Sequence, residues 1–132
     1  MNVLTRELKS CMSQLASGSQ GDFSALFIFP AGFSGFKGHF SGKPVLPGVC
    51  MVQAVLVMLD ARRRIPVTLK CLVSAKWLAP VKPEAELRFV CSEKQNSLCE
   101  TTVKARITCD GEKVAELTLL VINETRAGAG SP

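Results

Sequence analysis

A chain of 132 residues, 47% of them apolar, makes one domain with enough material for a core, and its body is too apolar to be disordered. Sixteen Lys and Arg against eleven Asp and Glu leave a net charge of +5; this favours an acidic partner, while the absence of tyrosine and of any nucleic-acid motif argues against nucleic acid. No apolar run is long enough to span a bilayer, and Met1 to Leu15 mixes Arg6, Glu7 and Lys9 among its apolar positions where a signal peptide has none, so a cytoplasmic location is expected.

Residues 3–16 place Leu4, Leu8, Cys11, Met12 and Leu15 on one side of a predicted N-terminal helix, which Ser17-Gly18-Ser19-Gln20-Gly21 ends. Leu26-Phe27-Ile28-Phe29, closed by Pro30, reads as a short strand. The next stretch, Gly38 to Gln53, concentrates the chemistry. It holds His39, the only histidine, on a loop punctuated by Gly42, Pro44 and Pro47. An ordinary imidazole titrates near ~6.5 and is a serviceable base at neutral pH. Pro47-Gly48 then opens a predicted helix, and proline suits that first turn because the amide it lacks would have had no helical partner. The amides of Gly48 and Val49 are free to donate to an oxygen gaining negative charge.

From about residue 48 to 63 the predicted helix is apolar around nearly its whole circumference, which is the pattern of a buried helix. Arg62-Arg63-Arg64 ends it, cations suiting the negative end of the helix dipole, and Pro66 disfavours continuation. Strands follow. Lys70 to Leu78 alternates, with Cys71, Val73, Ala75 and Trp77 assigned to one face and Lys70, Ser74 and Lys76 mostly to the other. Ala79 to Pro83 interrupts; Ala85 to Glu93 and Leu98 to Cys109 are further strands, and Asp110-Gly111 is a two-residue hairpin signal leading into Glu112 to Ile122. Residues 126–132 read as a loose tail after a single domain of residues 1–125. The six cysteines (Cys11, Cys50, Cys71, Cys91, Cys99 and Cys109) include no Cys-x-x-Cys pair, so neither a metal nor a redox cofactor is expected, and they read as small buried thiols in a reducing compartment. One long hydrophobic helix against an antiparallel sheet is the α+β arrangement that satisfies these patterns.

The motif resembles the active-site segment of the 3-hydroxyacyl-[acyl-carrier-protein] dehydratases, enzymes of fatty-acid synthesis with the hot-dog fold. Their pattern is His-Phe-x-Gly-x-Pro-x-x-Pro-Gly followed by an apolar helix bearing a carboxylate; His39, Phe40, Gly42, Pro44, Pro47 and Gly48 match it, and the carboxylate position is Gln53. Pro80-Val81-Lys82-Pro83 is similar to a break these enzymes carry after the strand that follows the helix. The resemblance implies a curved antiparallel sheet wrapped around the central helix. It makes His39 the base that takes a proton beside the thioester carbonyl, Gly48 and Val49 the oxyanion donors, and Gln53 a group that orients the departing hydroxyl. An amide donates and accepts hydrogen bonds but exchanges no proton.

A homodimer or larger assembly of dimers is implied, with the positions of His39 and Gln53 meeting across the two-fold interface. The acyl chain would lie in an apolar tunnel near Phe40. The substrate would be carried on a phosphopantetheine thioester, of acyl carrier protein or coenzyme A, with Lys43, Arg62, Arg63 and Arg64 available to an acidic carrier. Gln53 leaves two alternatives open: thioester hydrolysis, or an acyl-thioester-binding subunit that borrows its acid from another chain.

Overall fold

The computed structural model describes residues 3–36, 45–63 and 67–123. The helix α1 (Val3–Cys11) leads into the strand β1 (Met12–Ser17), which pairs antiparallel with β2 (Asp22–Ile28). A 3-10 turn at Ser34–Phe36 precedes the long helix α2 (Gly48–Arg63). Four strands follow: β3 (Val67–Trp77), β4 (Glu86–Gln95), β5 (Glu100–Cys109) and β6 (Glu112–Asn123). All six form one antiparallel sheet in the order β1-β2-β4-β5-β6-β3, leaving β1 and β3 at its edges.

The sheet alternates as a half-buried sheet should. Leu87, Phe89 and Cys91 of β4, Val103, Ala105 and Ile107 of β5, and Ala115, Leu117, Leu119 and Val121 of β6 are buried, with Arg88, Lys104 and Arg106 between them exposed. Register aligns the inward rows: Phe89 opposes Ile107, which opposes Ala115, and Cys91 opposes Ala105, which opposes Leu117. Onto this surface α2 lays Cys50, Met51, Val52, Ala54, Val55, Val57, Met58 and Leu59, all buried. Each large side chain so removed from water contributes roughly 1.5–3 kcal/mol. The β5–β6 hairpin turns at Asp110 (φ 52°) and Gly111 (φ 83°), the two positive φ values that a tight hairpin of this hand requires.

Two expectations are corrected. The helix predicted for residues 3–16 stops at Cys11, and Met12–Ser17 is a strand. Met12 and Leu15 are spaced as on a helix, but the open edge of β2 gives this stretch of backbone a ladder to join. The ladder is irregular between Ser13 and Ala16, where Gln14 takes φ 55°. In β3 the face assignment breaks as well. Cys71 lies opposite Leu120 on the outer face with Ser74 and Lys76, because irregularities between Leu69 and Cys71 and between Leu72 and Ser74 each shift the alternation. Leu72, Ala75 and Trp77 share the inner face, opposite Leu119, Leu117 and Ala115.

The C-terminal end of α2 is bolted to the sheet. Arg62 and Arg63 both donate to the Glu93 carboxylate, and Arg63 also reaches the side chains of Asn123 and Thr101. The Arg62 guanidinium lies 4.9 Å from the centre of the Phe23 ring and bonds Ser17 Oγ at 3.3 Å. Removing the carboxylate with Glu93→Ala leaves two partly buried guanidinium groups uncompensated. The arginine side chains keep 23% and 20% of their exposure, so the expected loss is about 2–3 kcal/mol, below that of a wholly buried pair. Urea unfolding of the variant checks it, and an unchanged midpoint would show that the cluster contributes nothing net.

The cysteines are not uniformly buried: Cys50 and Cys91 are, Cys11 and Cys109 are half-buried, and Cys71 and Cys99 are exposed. Burial, with the Glu93 carboxylate adding to it, pushes the Cys91 thiol up to about 12. Above the ordinary thiol range the unfolded chain therefore gives up a proton that the folded chain retains, so this group makes stability fall as pH rises. The slope is at most ~1.4 kcal/mol per pH unit. Urea midpoints measured from neutral pH into the alkaline range should fall more steeply for the wild type than for Cys91→Ala; parallel curves would refute the assignment.

Candidate active site

The start of α2 is held in place from both sides in sequence. Leu46 N–H donates to the Val81 carbonyl at 2.8 Å, tying the segment before the helix to the proline-rich break after β3. That break is itself fixed: Leu78 N–H bonds the Val114 carbonyl at 2.9 Å, and Glu84 N–H bonds the Phe29 carbonyl at 2.8 Å. Leu46 and Val81 are both buried. The two proline-containing segments singled out in the sequence are thus in direct contact. Cys50 N–H closes the first turn onto the Pro47 carbonyl at 3.0 Å, which leaves the amides of Gly48 and Val49 outside the ladder of the helix.

A row of aromatic rings runs from the sheet to the 3-10 turn at Ser34–Phe36. Phe27 meets Phe89 at 4.7 Å and Phe29 at 5.7 Å between ring centres; Phe29 meets Phe33 at 4.9 Å, and Phe33 meets Phe36 at 5.9 Å. The Glu7 carboxylate accepts from Ser34 N–H at 3.0 Å, so α1 fastens the same turn. His39, Phe40, Lys43 and Arg64, which the sequence puts forward, lie outside the described residues.

Along α2, between its first residue and its last turn, one stripe stays open: Val49 is exposed, and Gln53, Leu56 and Asp60 are half-buried, at the three- and four-residue spacing of a single helix face. Asp60 Oδ1 accepts from Val67 N–H at 3.2 Å, and at the other end Gly48 meets Trp77. The helix therefore runs antiparallel to the edge strand β3, with the stripe beginning and ending beside it. A Cβ built on Gly48 would come within 2.6–2.9 Å of three carbons of the Trp77 ring, so only glycine fits under this indole. On the inner face of β3, Leu72 and Trp77 are exposed apolar residues.

Gln53 occupies the middle of that stripe, and its amide makes no hydrogen bond with any described residue. The pKa of the one thiol in the first turn, Cys50, is raised by burial and, secondarily, by the Glu7 carboxylate, so it ionises less readily than an ordinary thiol. Arg62 and Arg63, put forward for a carrier, are turned toward Glu93. Trp77 was legible in sequence only as a lone tryptophan on a strand; its contact with Gly48 is a product of the fold.

A family model described as ApeI-like, ApeI dehydratase, matches residues 16–116. A protein of Granulibacter bethesdensis named 3-hydroxyacyl-[acyl-carrier-protein] dehydratase FabZ is 34% identical over 93 residues, which is 63% of this chain and 54% of that protein. One of the same name from Latilactobacillus sakei is 34% identical over 95 residues, 65% of this chain and 68% of that protein. The match therefore spans from about half to two thirds of these relatives. Among solved structures, the dehydratase heterocomplex ApeI:P from Xenorhabdus doucetiae superposes with a TM-score of 0.70 at 17% identity, over 85% of this chain and 96% of that one. The E. coli PaaI protein of the phenylacetic acid degradation operon gives 0.65 at 11% identity, over 91% and 92%. At such identities the structures establish the fold, and it is the hot-dog fold. Among the described residues no helix is long and apolar enough to cross a membrane.

Proposed function

The chain belongs to the ApeI-like dehydratase family, and from that premise we propose that it eliminates water from a 3-hydroxyacyl thioester to give the trans-2-enoyl thioester. The observation that carries this reading is the placement of Pro47-Gly48, the end of the family-like motif, at the first turn of a buried helix with Gln53 on its open stripe. His39 takes the proton from the carbon beside the carbonyl while the oxyanion is held by the Gly48 and Val49 amides. The electron pair left behind forms the new double bond as the C3–O bond breaks. Gln53 orients the departing hydroxyl, and the imidazolium of His39 returns its proton to that oxygen, so water leaves and the base is restored.

The substrate is an acyl group on the phosphopantetheine of a carrier protein or of coenzyme A. Two chains pair through the surface that carries the stripe, Leu72 and Trp77, bringing His39 of one to Gln53 of the other; sedimentation should then give twice the mass of the chain. Gln53 favours a second reading, in which a different hot-dog subunit supplies the missing carboxylate, and the structural neighbour described as a heterocomplex adds to it.

The deciding experiment incubates the protein with 3-hydroxyacyl thioesters on carrier protein and on coenzyme A, following enoyl formation and thiol release together. Enoyl product from the chain alone supports the proposal. Enoyl product only after a second subunit is added supports the heteromeric reading. Thiol release alone moves the protein to the thioesterases and overturns both.

A further inference from the structure

We infer that the outer face of the sheet is a docking surface for an acidic helix of a partner protein, recognised by a row of four cations along β4 and β5. This face is the one turned away from α2, and β6 separates the row from the edge strand β3. The surface is therefore distinct from the proposed active site and from the surface given to the pairing of two chains, and the inference does not depend on the acyl-thioester reading.

On the outer face Arg88 opposes Thr108, Val90 opposes Arg106, Ser92 opposes Lys104 and Lys94 opposes Thr102. Arg88, Arg106, Lys104 and Lys94 are all exposed, and none of these eight positions holds a carboxylate. In that order each cation is the diagonal or same-strand neighbour of the next, about 7 Å away, so the row is about 20 Å long. Other cations have carboxylate partners: Arg62 and Arg63 meet Glu93, Lys70 meets Glu100, and Lys113 meets Glu116. No side chain in the row forms an ion pair with a described residue. Two carboxylates flank it. Glu116, opposite Arg106 on β6, is held by Lys113 at 3.1 Å, and Asp22 lies across from Ser92 on β2.

Two open depressions in this face, of about 560 and about 400 Å³, meet at Ser92 and Lys104. The smaller is lined by Ser92, Lys94, Asn96, Thr102 and Lys104, so it offers two ammonium groups and three neutral donors with no carboxylate among them. Asn96 Nδ2 donates to Thr102 Oγ1 at 2.8 Å, which leaves the hydroxyl proton of Thr102 for an incoming oxygen. The row ends at the β4–β5 turn, where Leu98 is 91% exposed and adds an apolar contact.

A helix matches this row. Carboxylates four residues apart on one helix face stand ~6 Å from one another, and about 13 residues of helix cover 20 Å. Long lysine and arginine side chains take up the remaining difference. No aromatic side chain lines either depression, which removes the stacking that a nucleic-acid strand uses. A second copy of this chain is the wrong sign, at +5.

The probe is a fluorescently labelled helical peptide of about 20 residues, long enough to be helical alone, with glutamate at every fourth position on an alanine background. Its control carries glutamine at those positions. Anisotropy follows binding at low ionic strength to wild type, to Lys94→Glu/Lys104→Glu and to Lys9→Glu/Lys82→Glu, which has the same net charge and alters exposed cations elsewhere. The glutamate peptide is expected to bind wild type and the Lys9/Lys82 variant alike, and the Lys94/Lys104 variant at least ~10-fold more weakly. Added salt should weaken the binding, and the amide signals of Ser92, Lys94, Thr102 and Lys104 should move on titration.

Equal loss of affinity in both variants overturns the inference, because the peptide then senses net charge only. Binding of the glutamine peptide as tightly as the glutamate peptide overturns it as well. So does tighter binding of anionic vesicles or of a single-stranded oligonucleotide through Lys94 and Lys104. If Lys94→Glu/Lys104→Glu does not fold, Lys94→Gln/Lys104→Gln decides. No thioester is present, so the result stands whether or not the chain proves to be a dehydratase.

Discussion

His39→Ala is expected to lower enoyl formation by ~10²–10⁴-fold while leaving thioester binding nearly unchanged, the range a positioned general base contributes. The chain holds a single histidine, so no second imidazole can take over, and Cys50, the thiol nearest the helix start in sequence, ionises less readily than an ordinary thiol because of its burial. In the proposed cycle one imidazole carries both proton transfers, and its removal eliminates both at once. The loss should therefore appear in kcat and in kcat/KM together, the sign of a group that acts in the transition state. Binding of a non-reactive analogue, measured by calorimetry, is the control. Enoyl formation at the wild-type rate in the variant would remove His39 from the mechanism.

Gln53→Glu is expected to raise enoyl formation by up to ~10²-fold, because a carboxyl group can hand a proton to the departing hydroxyl and an amide cannot. The two side chains are nearly the same size, and position 53 lies on a half-buried stripe between Val49 and Leu56. An apolar setting of that kind disfavours the charged carboxylate and keeps more of the group in its donating form. Gln53→Met, apolar and of similar length, should lose activity relative to wild type. A Glu variant no faster than an active wild type would mean that hydrogen bonding by the amide is all the reaction needs from this position. Gln53→Met should keep the wild-type urea midpoint, whereas Gln53→Glu should lower it at neutral pH and less so in acid, because the unfolded chain ionises the carboxyl more readily than the folded one.

Much of the fold was legible because its signals are local. The bounds of α2 follow from Pro47-Gly48 at one end and the arginine run at the other, and the β5–β6 hairpin follows from Asp110-Gly111. What failed failed for non-local reasons. Met12 to Ser17 becomes a strand because β2 offers it an edge, a fact no window of sequence contains. In β3, two irregularities turn Cys71 outward, and an alternation rule that counts by two has no means of seeing an extra residue. Arg62 and Arg63 read in sequence as cations ending a helix and available to an acidic carrier; Glu93, thirty residues away in the chain, makes them a structural clamp.

The candidate site divides in the same way. By itself the sequence put forward the proposed reactive set, His39, the Pro47-Gly48 helix start and Gln53, since spacing along one loop and one helix is a local property. It also determined that α2 is buried, because an all-round apolar helix has no other stable place. Only the tertiary structure decided which narrow face of that helix stays open, and that the face carries Gln53 rather than a wholly apolar row. Only the tertiary structure seated Trp77 on Gly48. That contact joins the end of an edge strand to the start of a helix, and it exists because the sheet curls around α2 and brings together residues that the chain keeps far apart.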